Sequence, residues 1–215
     1  MSFLDFKKIA TERRSVRKYQ DKPVAREIIE EIIDLARYAP SATNAQTWQF
    51  IVVDNQDRIQ EIANILRNKL ELVVADAENK GLSKRTVFLI RSFAYYATAF
   101  EKAPVVIIAT APPYKSKFRE VLEDLPELGF KIDWDKEAIK SNALACQNIM
   151  LAAQAHGLAT CPFTGPIIVA GEELATLLEL PADYEINMLI SLGYPAESPK
   201  MPKRKPLGDI ITYID

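Results

Sequence analysis

The spacing of apolar residues along the chain predicts several amphipathic helices near the start. Ser2 with Asp5 resembles a capping box, and apolar residues follow at helical spacing, so a short helix should end near Arg13. A second helix is predicted over 25–38, where apolar side chains share one face ahead of Pro40. The chain therefore begins with two helices joined by a polar turn.

Further helices follow from the same periodicity. One contains Ile59 to Leu66, and the stretch 70–100 is predicted to be mostly helical. The segment 141–156 is crowded with small residues, which let another element approach closely, and Gly157 stands where a helix C-cap is expected. A last helix is predicted over 172–180.

Short β-branched runs predict strands between these helices. Residues 49–53 suggest a buried strand, and 105–109 are apolar without alternation, as expected of a central strand covered on both faces. A strand is also predicted over 186–192, and the tail 210–214 is strand-like. The charged stretch 111–136 is a candidate lid.

The order of these elements favours an α+β fold. Helices and strands mix without a repeating βα period and without internal repeats. No linker divides the 215 residues, so residues 1–215 are predicted to form a single domain.

Composition narrows the range of functions. The formal net charge of -2 argues against general affinity for nucleic acid or anionic membrane, and the charged N-terminus and the lack of long apolar runs predict a cytoplasmic protein. Two cysteines and one histidine do not make a zinc site or a disulfide framework. No metal site is predicted.

Candidate chemistry begins at residues 13–17, which read Arg-Arg-Ser-Val-Arg. Guanidinium groups form charge-assisted hydrogen bonds to phosphate oxygens, and a serine hydroxyl can add another donor. A solvated basic turn is the alternative interpretation, and the segment alone does not exclude it.

The loop 39–48 is a second candidate. Asn44 and Gln46 offer donors and acceptors that can match a pyrimidine-like edge, while Pro40 and Ser41 allow close backbone approach. The alternative is an ordinary helix-to-strand connection.

Two later segments add weaker signals. In 161–166, Gly165 permits a backbone amide to approach a ring closely. The segment 193–195, followed by the basic run 202–206, supplies a distant cationic group; its alternative is a polar tail.

Together these motifs, RRSVRKY, APSATNAQTW, SNALACQNIMLAAQAHGLATCPFTG and GYP followed by KRKP, resemble the FMN-dependent nitroreductase family. The resemblance implies a nitroreductase-like α+β fold with a central, mostly antiparallel sheet flanked by helices, in an intertwined homodimer with FMN at the interface. Thr47 departs from the pattern, because members often have proline there.

The resemblance also implies roles for individual residues. Arg13, Ser15, Arg17 and Arg204 would serve the phosphate and flavin edge, with Arg14 adding a contact. Pro40, Ser41 and Asn44 would reach the flavin from the partner subunit, and Thr164 with Gly165 would lie beside the ring. No flavin contact can be carried over for 70–136.

The implied activity is hydride transfer from NADH or NADPH through FMN to a nitroaromatic, quinone or other electron-poor acceptor in a ping-pong cycle, with no catalytic side chain. The lack of G-x-G-x-x-G among the seven glycines argues against a separate dinucleotide site. Three alternatives stay open: a specialised flavin or enone reductase or dehalogenase of the same fold, a non-catalytic flavin-binding sensor, and a colourless basic-patch interaction module.

Overall fold

The computed structural model describes residues 2–125, 127 and 135–214, and the side chain of Asp135 lies outside that description. Its elements, in chain order, are α1 (Phe3–Glu12), α2 (Arg26–Ala36), β1 (Gln49–Val53), α3 (Gln56–Asn79), α4 (Lys84–Ala97), β2 (Val105–Ala111), α5 (Lys117–Glu123), α6 (Asp135–Ala155), β3 (Ala159–Phe163), α7 (Gly165–Leu177) and β4 (Glu185–Gly193).

The four strands form one antiparallel sheet in the order β1-β2-β4-β3. Apolar residues of α2 and α6 pack on one face, and apolar residues of α3, α4 and α7 pack on the other. Strand β2 is buried at all seven positions because helices cover both of its faces. The predicted α+β fold and its central strand are confirmed.

The helix boundaries follow local signals in the sequence. The Ser2 hydroxyl accepts from the Asp5 amide, and the Asp5 carboxylate accepts from the Ser2 amide, so the predicted capping box is present. Gly157 follows α6 with φ of 72°, a left-handed conformation that suits glycine at a helix end. The helices predicted over 25–38, 59–66, 70–100 and 141–156 are confirmed in outline.

Three predictions about elements are wrong. Strand β1 is half-exposed at the sheet edge instead of buried. Residues 159–163 form β3, and α7 begins at Gly165, seven residues before the predicted start, with a break from helical geometry at Ala170. The tail 210–214 is exposed and is not a strand, because a strand needs a neighbour and none of the described residues pairs with it.

The candidate lid is only partly described. Ala111 ends β2, and Tyr114 is buried with Ala138, so the start of the stretch belongs to the core. Helix α5 follows with Phe118 64% exposed. Residues 126 and 128–134 lie outside the described residues, and the lid stays a prediction.

Candidate functional site

The basic segment 13–17 lies along the outer edge of β3. Ser15 forms an isolated parallel bridge with Thr160, and the Val16 amide donates to the Thr160 carbonyl at 3.1 Å. Val16 is buried while Arg17 is exposed. The segment is thus a short extension of the sheet, and this pairing fixes the backbone positions from which its arginine side chains extend.

Two polar atoms at this edge are buried without a partner. Nη1 of Arg13 and Oγ1 of Thr160 have no hydrogen-bond partner among the residues that the structure describes. A buried guanidinium nitrogen without an acceptor is costly, so native structures rarely leave one unsatisfied. This edge therefore lacks an acceptor, and an anionic ligand is one way to supply it.

Arg14 is differently placed from its neighbours. Its Nη1 donates to the carbonyls of Thr11 and Arg13, both at 2.6 Å. These bonds cap the C-terminal end of α1, where a cation is also favoured by the helix dipole.

Tyr19 anchors the far end of the segment. Its hydroxyl donates to the Val16 carbonyl at 2.6 Å and lies 2.6 Å from the Ser191 hydroxyl. Burial raises the pKa of Tyr19, so the phenol stays neutral. A Cβ on Gly193 would come within 2.9 Å of the Tyr19 ring and 2.7 Å of Pro104, so the tyrosine fits only beside glycine.

Cys161 lies beneath the same segment. Burial raises the pKa of its thiol, although Arg17, a hydrogen bond with Ser15, and Arg13 act in the opposite direction. Arg13, Ser15 and Arg17 are therefore all near enough to this sulfur to influence its pKa.

Helix α4 closes the site on another side. The Arg17 guanidinium carbon lies 5.9 Å from the centre of the Tyr96 ring, and a Cβ on Gly165 would come within 2.9 Å of Phe93. Phe93 and Tyr96 are three residues apart on one helical face. Gly165, with Thr164 before it, therefore lies on the same side of α4 as Arg17.

The loop 40–47 lies elsewhere. A short 3-10 helix (Ala42–Asn44) precedes β1, and Thr43, Asn44 and Gln46 all have positive φ. Positive φ is sparsely populated in residues other than glycine, so three such residues in one loop must be stabilised by contacts with their surroundings. The Ser41 hydroxyl accepts from the Gln46 amide at 2.9 Å and thereby supports this shape.

The sheet register separates this loop from the basic segment. Gln49 pairs with Thr110 near the end of β2, whereas Thr160 pairs with Leu192, which pairs with Val105 at the start of β2. Gln49 and Thr160 are therefore separated by roughly 20 Å, because they lie five residues apart along the direction of β2 and three strand spacings apart across the sheet. One chain does not bring Pro40, Ser41 and Asn44 to Arg17.

Arg204 makes no hydrogen bond or ion pair with segment 13–17 among the contacts of the described residues. It lies in the exposed tail, where its Nη1 donates to the Pro202 carbonyl at 3.2 Å. The structure therefore brings together five of the ten predicted residues: Arg13, Ser15, Arg17, Thr164 and Gly165. The other five make no contact with them that could form one site within this chain, because Arg14 caps α1, Arg204 bonds within the tail, and Pro40, Ser41 and Asn44 lie in the distant loop.

Sequence reasoning missed several neighbours of the site. Phe93 and Tyr96 lie in a stretch that carried no recognisable motif, although two aromatic residues on one helical face were visible. Glu197, whose carboxylate accepts from the Arg17 and Lys18 amides, stands two residues after the end of the Gly-Tyr-Pro motif.

Other kinds of site have less support. Within the described ranges, no group of three or more histidine, cysteine, aspartate or glutamate side chains could hold a metal ion. In that same part of the chain, no helix has the length and apolarity to cross a membrane.

The fold and the site define a mixed α and β protein with an arginine-bearing sheet edge next to an aromatic helix face. The sequence profile described as the Nitroreductase family matches residues 10–194. The chain belongs to the nitroreductase family.

Individual relatives cover nearly the whole chain. An iodotyrosine deiodinase of Nematostella vectensis is 29% identical over 96% of this chain and 74% of its own length. A putative NADH dehydrogenase/NAD(P)H nitroreductase of Methanothermobacter thermautotrophicus is 30% identical over 93% and 82%. The crystal structure of a BluB-like flavoprotein from Clostridium difficile 630 superposes with a TM-score of 0.85 at 26% identity and covers both chains fully.

Proposed function

We propose that this protein is an FMN-dependent oxidoreductase that takes electrons from NADH or NADPH and reduces a small electron-poor acceptor. The observation that carries the proposal is the buried Nη1 of Arg13, which has no acceptor among the described residues. Membership of the nitroreductase family supports it. FMN, when bound, accepts hydride from a nicotinamide and passes electrons to an acceptor.

The residues present suit a flavin phosphate. Arg13 and Arg17 would supply guanidinium donors and Ser15 a hydroxyl, all from the edge of β3. Arg204 on the exposed tail would add a further cation. Several arginines at one place suit a terminal phosphate, which FMN has and FAD does not. The sequence also lacks the G-x-G-x-x-G motif that would suit the dinucleotide FAD.

In this proposal the protein itself would position the flavin ring and exclude water from it. Thr164 and Gly165 begin α7, and the missing Cβ of Gly165 leaves room against Phe93. The buried thiol of Cys161, whose pKa is raised by burial, is a poor nucleophile or base. No side-chain acid or base is assigned to the reaction.

We infer that the working unit is a homodimer. Helix α1 has no buried residue, and even its large apolar side chains Phe3 and Leu4 are 76% and 71% exposed. Strand β1 has an open edge, and the tail 210–214 is apolar and exposed. In such a dimer the partner's loop 40–47 would complete each site with Pro40, Ser41 and Asn44.

The proposal is tested by releasing the cofactor of the purified protein for mass analysis and measuring FMN affinity by flavin fluorescence. Arg13→Ala or Arg17→Ala should remove a charge-assisted contact of about 1.5–3 kcal/mol, or roughly ten- to a hundredfold in affinity. Arg37→Ala is the control, because Arg37 pairs with Asp34 on the surface of α2. Unchanged affinity in both site variants contradicts the assignment.

A dehalogenase of the same fold is a second candidate, and the deiodinase relative favours it. Such an enzyme would replace an aromatic carbon–iodine bond by carbon–hydrogen, consuming two electrons and one proton and releasing iodide. Running nitroaromatics, quinones, enones, free flavins and iodotyrosine against the reduced protein separates the two. Iodide release without nitro or quinone reduction would support the dehalogenase.

A further inference from the structure

A carboxylate joins the C-terminal tail to the basic segment. Oε1 of Glu197 accepts from the backbone amides of Arg17 at 2.7 Å and Lys18 at 3.2 Å. The preceding residue, Ala196, donates its amide to the Lys18 carbonyl at 2.9 Å. The start of the tail is thus hydrogen-bonded to the backbone of Arg17, a residue of the proposed phosphate site, and of its neighbour Lys18.

The charge of Glu197 would not help to bind an anion. A carboxylate beside Arg17 reduces the positive potential that a phosphate would meet. What Glu197 supplies is geometry, because one oxygen holds two consecutive amides and so fixes the direction in which the Arg17 side chain leaves the backbone.

The tie also limits where Arg204 can go. Arg204 lies seven residues after Glu197 in the sequence, which allows a reach of at most ~25 Å even when the chain is fully extended. Every residue from 200 to 214 is exposed, so the described part of the tail has little packing of its own. A tether of this length raises the effective concentration of a cation near its anchor.

We propose that Glu197 is a positioning residue that fastens the tail beside Arg17 and so keeps Arg204 within reach of the phosphate that Arg13 and Arg17 bind. The inference rests on the proposed function, since it concerns the same FMN site. It assigns to Glu197 no contact with the cofactor.

The test is a double-mutant cycle on the full-length protein with FMN and riboflavin as probes. Glu197→Ala should weaken FMN binding roughly fivefold or more, and the loss caused by Arg204→Ala should shrink in the Glu197→Ala background. Riboflavin, which lacks the phosphate, should show no coupling between the two positions. Glu197→Gln keeps an oxygen acceptor for both amides and should restore FMN affinity to within about twofold of the wild type.

A second measurement does not depend on the cofactor. Hydrogen exchange of the Arg17 and Lys18 amides should accelerate in Glu197→Ala and stay slow in Glu197→Gln. If Glu197→Ala does not fold, Glu197→Asp, which is shorter by one methylene, should give the same pattern.

The outcomes are distinguishable. FMN binding with strictly additive losses at the two positions, or a Glu197→Gln variant as weak as Glu197→Ala, overturns this inference and leaves the proposed function intact. A wild-type protein that binds no FMN removes both.

Discussion

The side chain of Asn142 repairs a break in the central sheet by bonding to Thr110. The pairing of β2 with β4 shifts between Ala109 and Thr110, and there Nδ2 of Asn142 donates to the Thr110 carbonyl at 3.0 Å and to Oδ1 of Asn187 at 2.7 Å. A bulge leaves ladder groups unpaired, and a fully buried amide from α6 takes their place.

Replacing this amide should therefore be costly. Asn142→Leu leaves the Thr110 carbonyl and the Asn187 side chain without a donor, and we expect a loss of about 1–3 kcal/mol in the free energy of unfolding. Urea denaturation measures it. Asn148→Leu is the matched control on the same helix, since Asn148 is only half-buried and makes only a 3.4 Å bond to the Leu35 carbonyl. Equal stability of both variants would contradict the interpretation.

Tyr19 should matter to both stability and cofactor binding. Tyr19→Phe removes the hydroxyl that bonds to Val16 and Ser191, so we expect a loss of about 1–2 kcal/mol in stability and weaker FMN binding, because the segment bearing Arg17 loses its anchor. Thermal unfolding and flavin fluorescence report the two effects. Tyr38→Phe serves as control, since Tyr38 is 70% exposed. A stable variant with wild-type FMN affinity would disprove the anchoring role.

The two glycines 193 and 171 should respond to alanine with opposite signs. Gly193→Ala forces a methyl to within 2.7 Å of the Pro104 ring, and we expect a destabilisation of about 1–3 kcal/mol. Gly171 lies within α7, where the nearest atom to a new Cβ is 3.5 Å away, so Gly171→Ala should stabilise the protein by about 0.5–1 kcal/mol. Denaturant midpoints measured side by side test the pair, and a stabilising Gly193→Ala would show that β4 shifts freely.

The buried thiols predict a loss of stability at alkaline pH. Burial raises the pKa of the Cys146 thiol from its ordinary value of 9.0 to about 12, so between these values the unfolded chain releases a proton that the native chain keeps. Stability is therefore full below pH 9 and falls as pH rises towards 12, by up to ~1.4 kcal/mol per pH unit.

This pH dependence is measured by denaturation at several pH values. Cys146→Ala should flatten the alkaline slope relative to the wild type, whatever its effect at pH 7. An unchanged slope would mean that the thiol ionises equally in both states.

Much of the fold could be predicted from the sequence, because the signals for its helices and its central strand are local. The run 105–109 has no polar residue and can only be covered on both faces, and the capping box at Ser2 fixes a helix start from two residues. Strand β3 was missed because Pro162 argues against a strand, yet β3 lies at the sheet edge, where a missing amide proton is tolerated.

The candidate site was readable only in part. The composition of residues 13–17 predicted an anion site, and the structure places this segment beside β3, where Arg13, Ser15 and Arg17 influence the pKa of Cys161. Contacts made by α4 could not be predicted, because Phe93 meets Gly165 only after α4 and α7 have packed together. The tail 210–214 has the composition of a strand, but pairing depends on a neighbour that its own sequence does not name.

The separation of the loop 40–47 from the segment 13–17 has a genetic consequence. In the proposed dimer, an Arg17→Ala chain and an Asn44→Ala chain are each defective in both sites when assembled with themselves. A mixed dimer carries both lesions in one site and neither in the other, so co-expression with random assembly should restore about a quarter of the wild-type flavin content, and a purified mixed dimer about half. Two broken alleles would thus complement each other, whereas two chains that both carry their lesion within segment 13–17 would not.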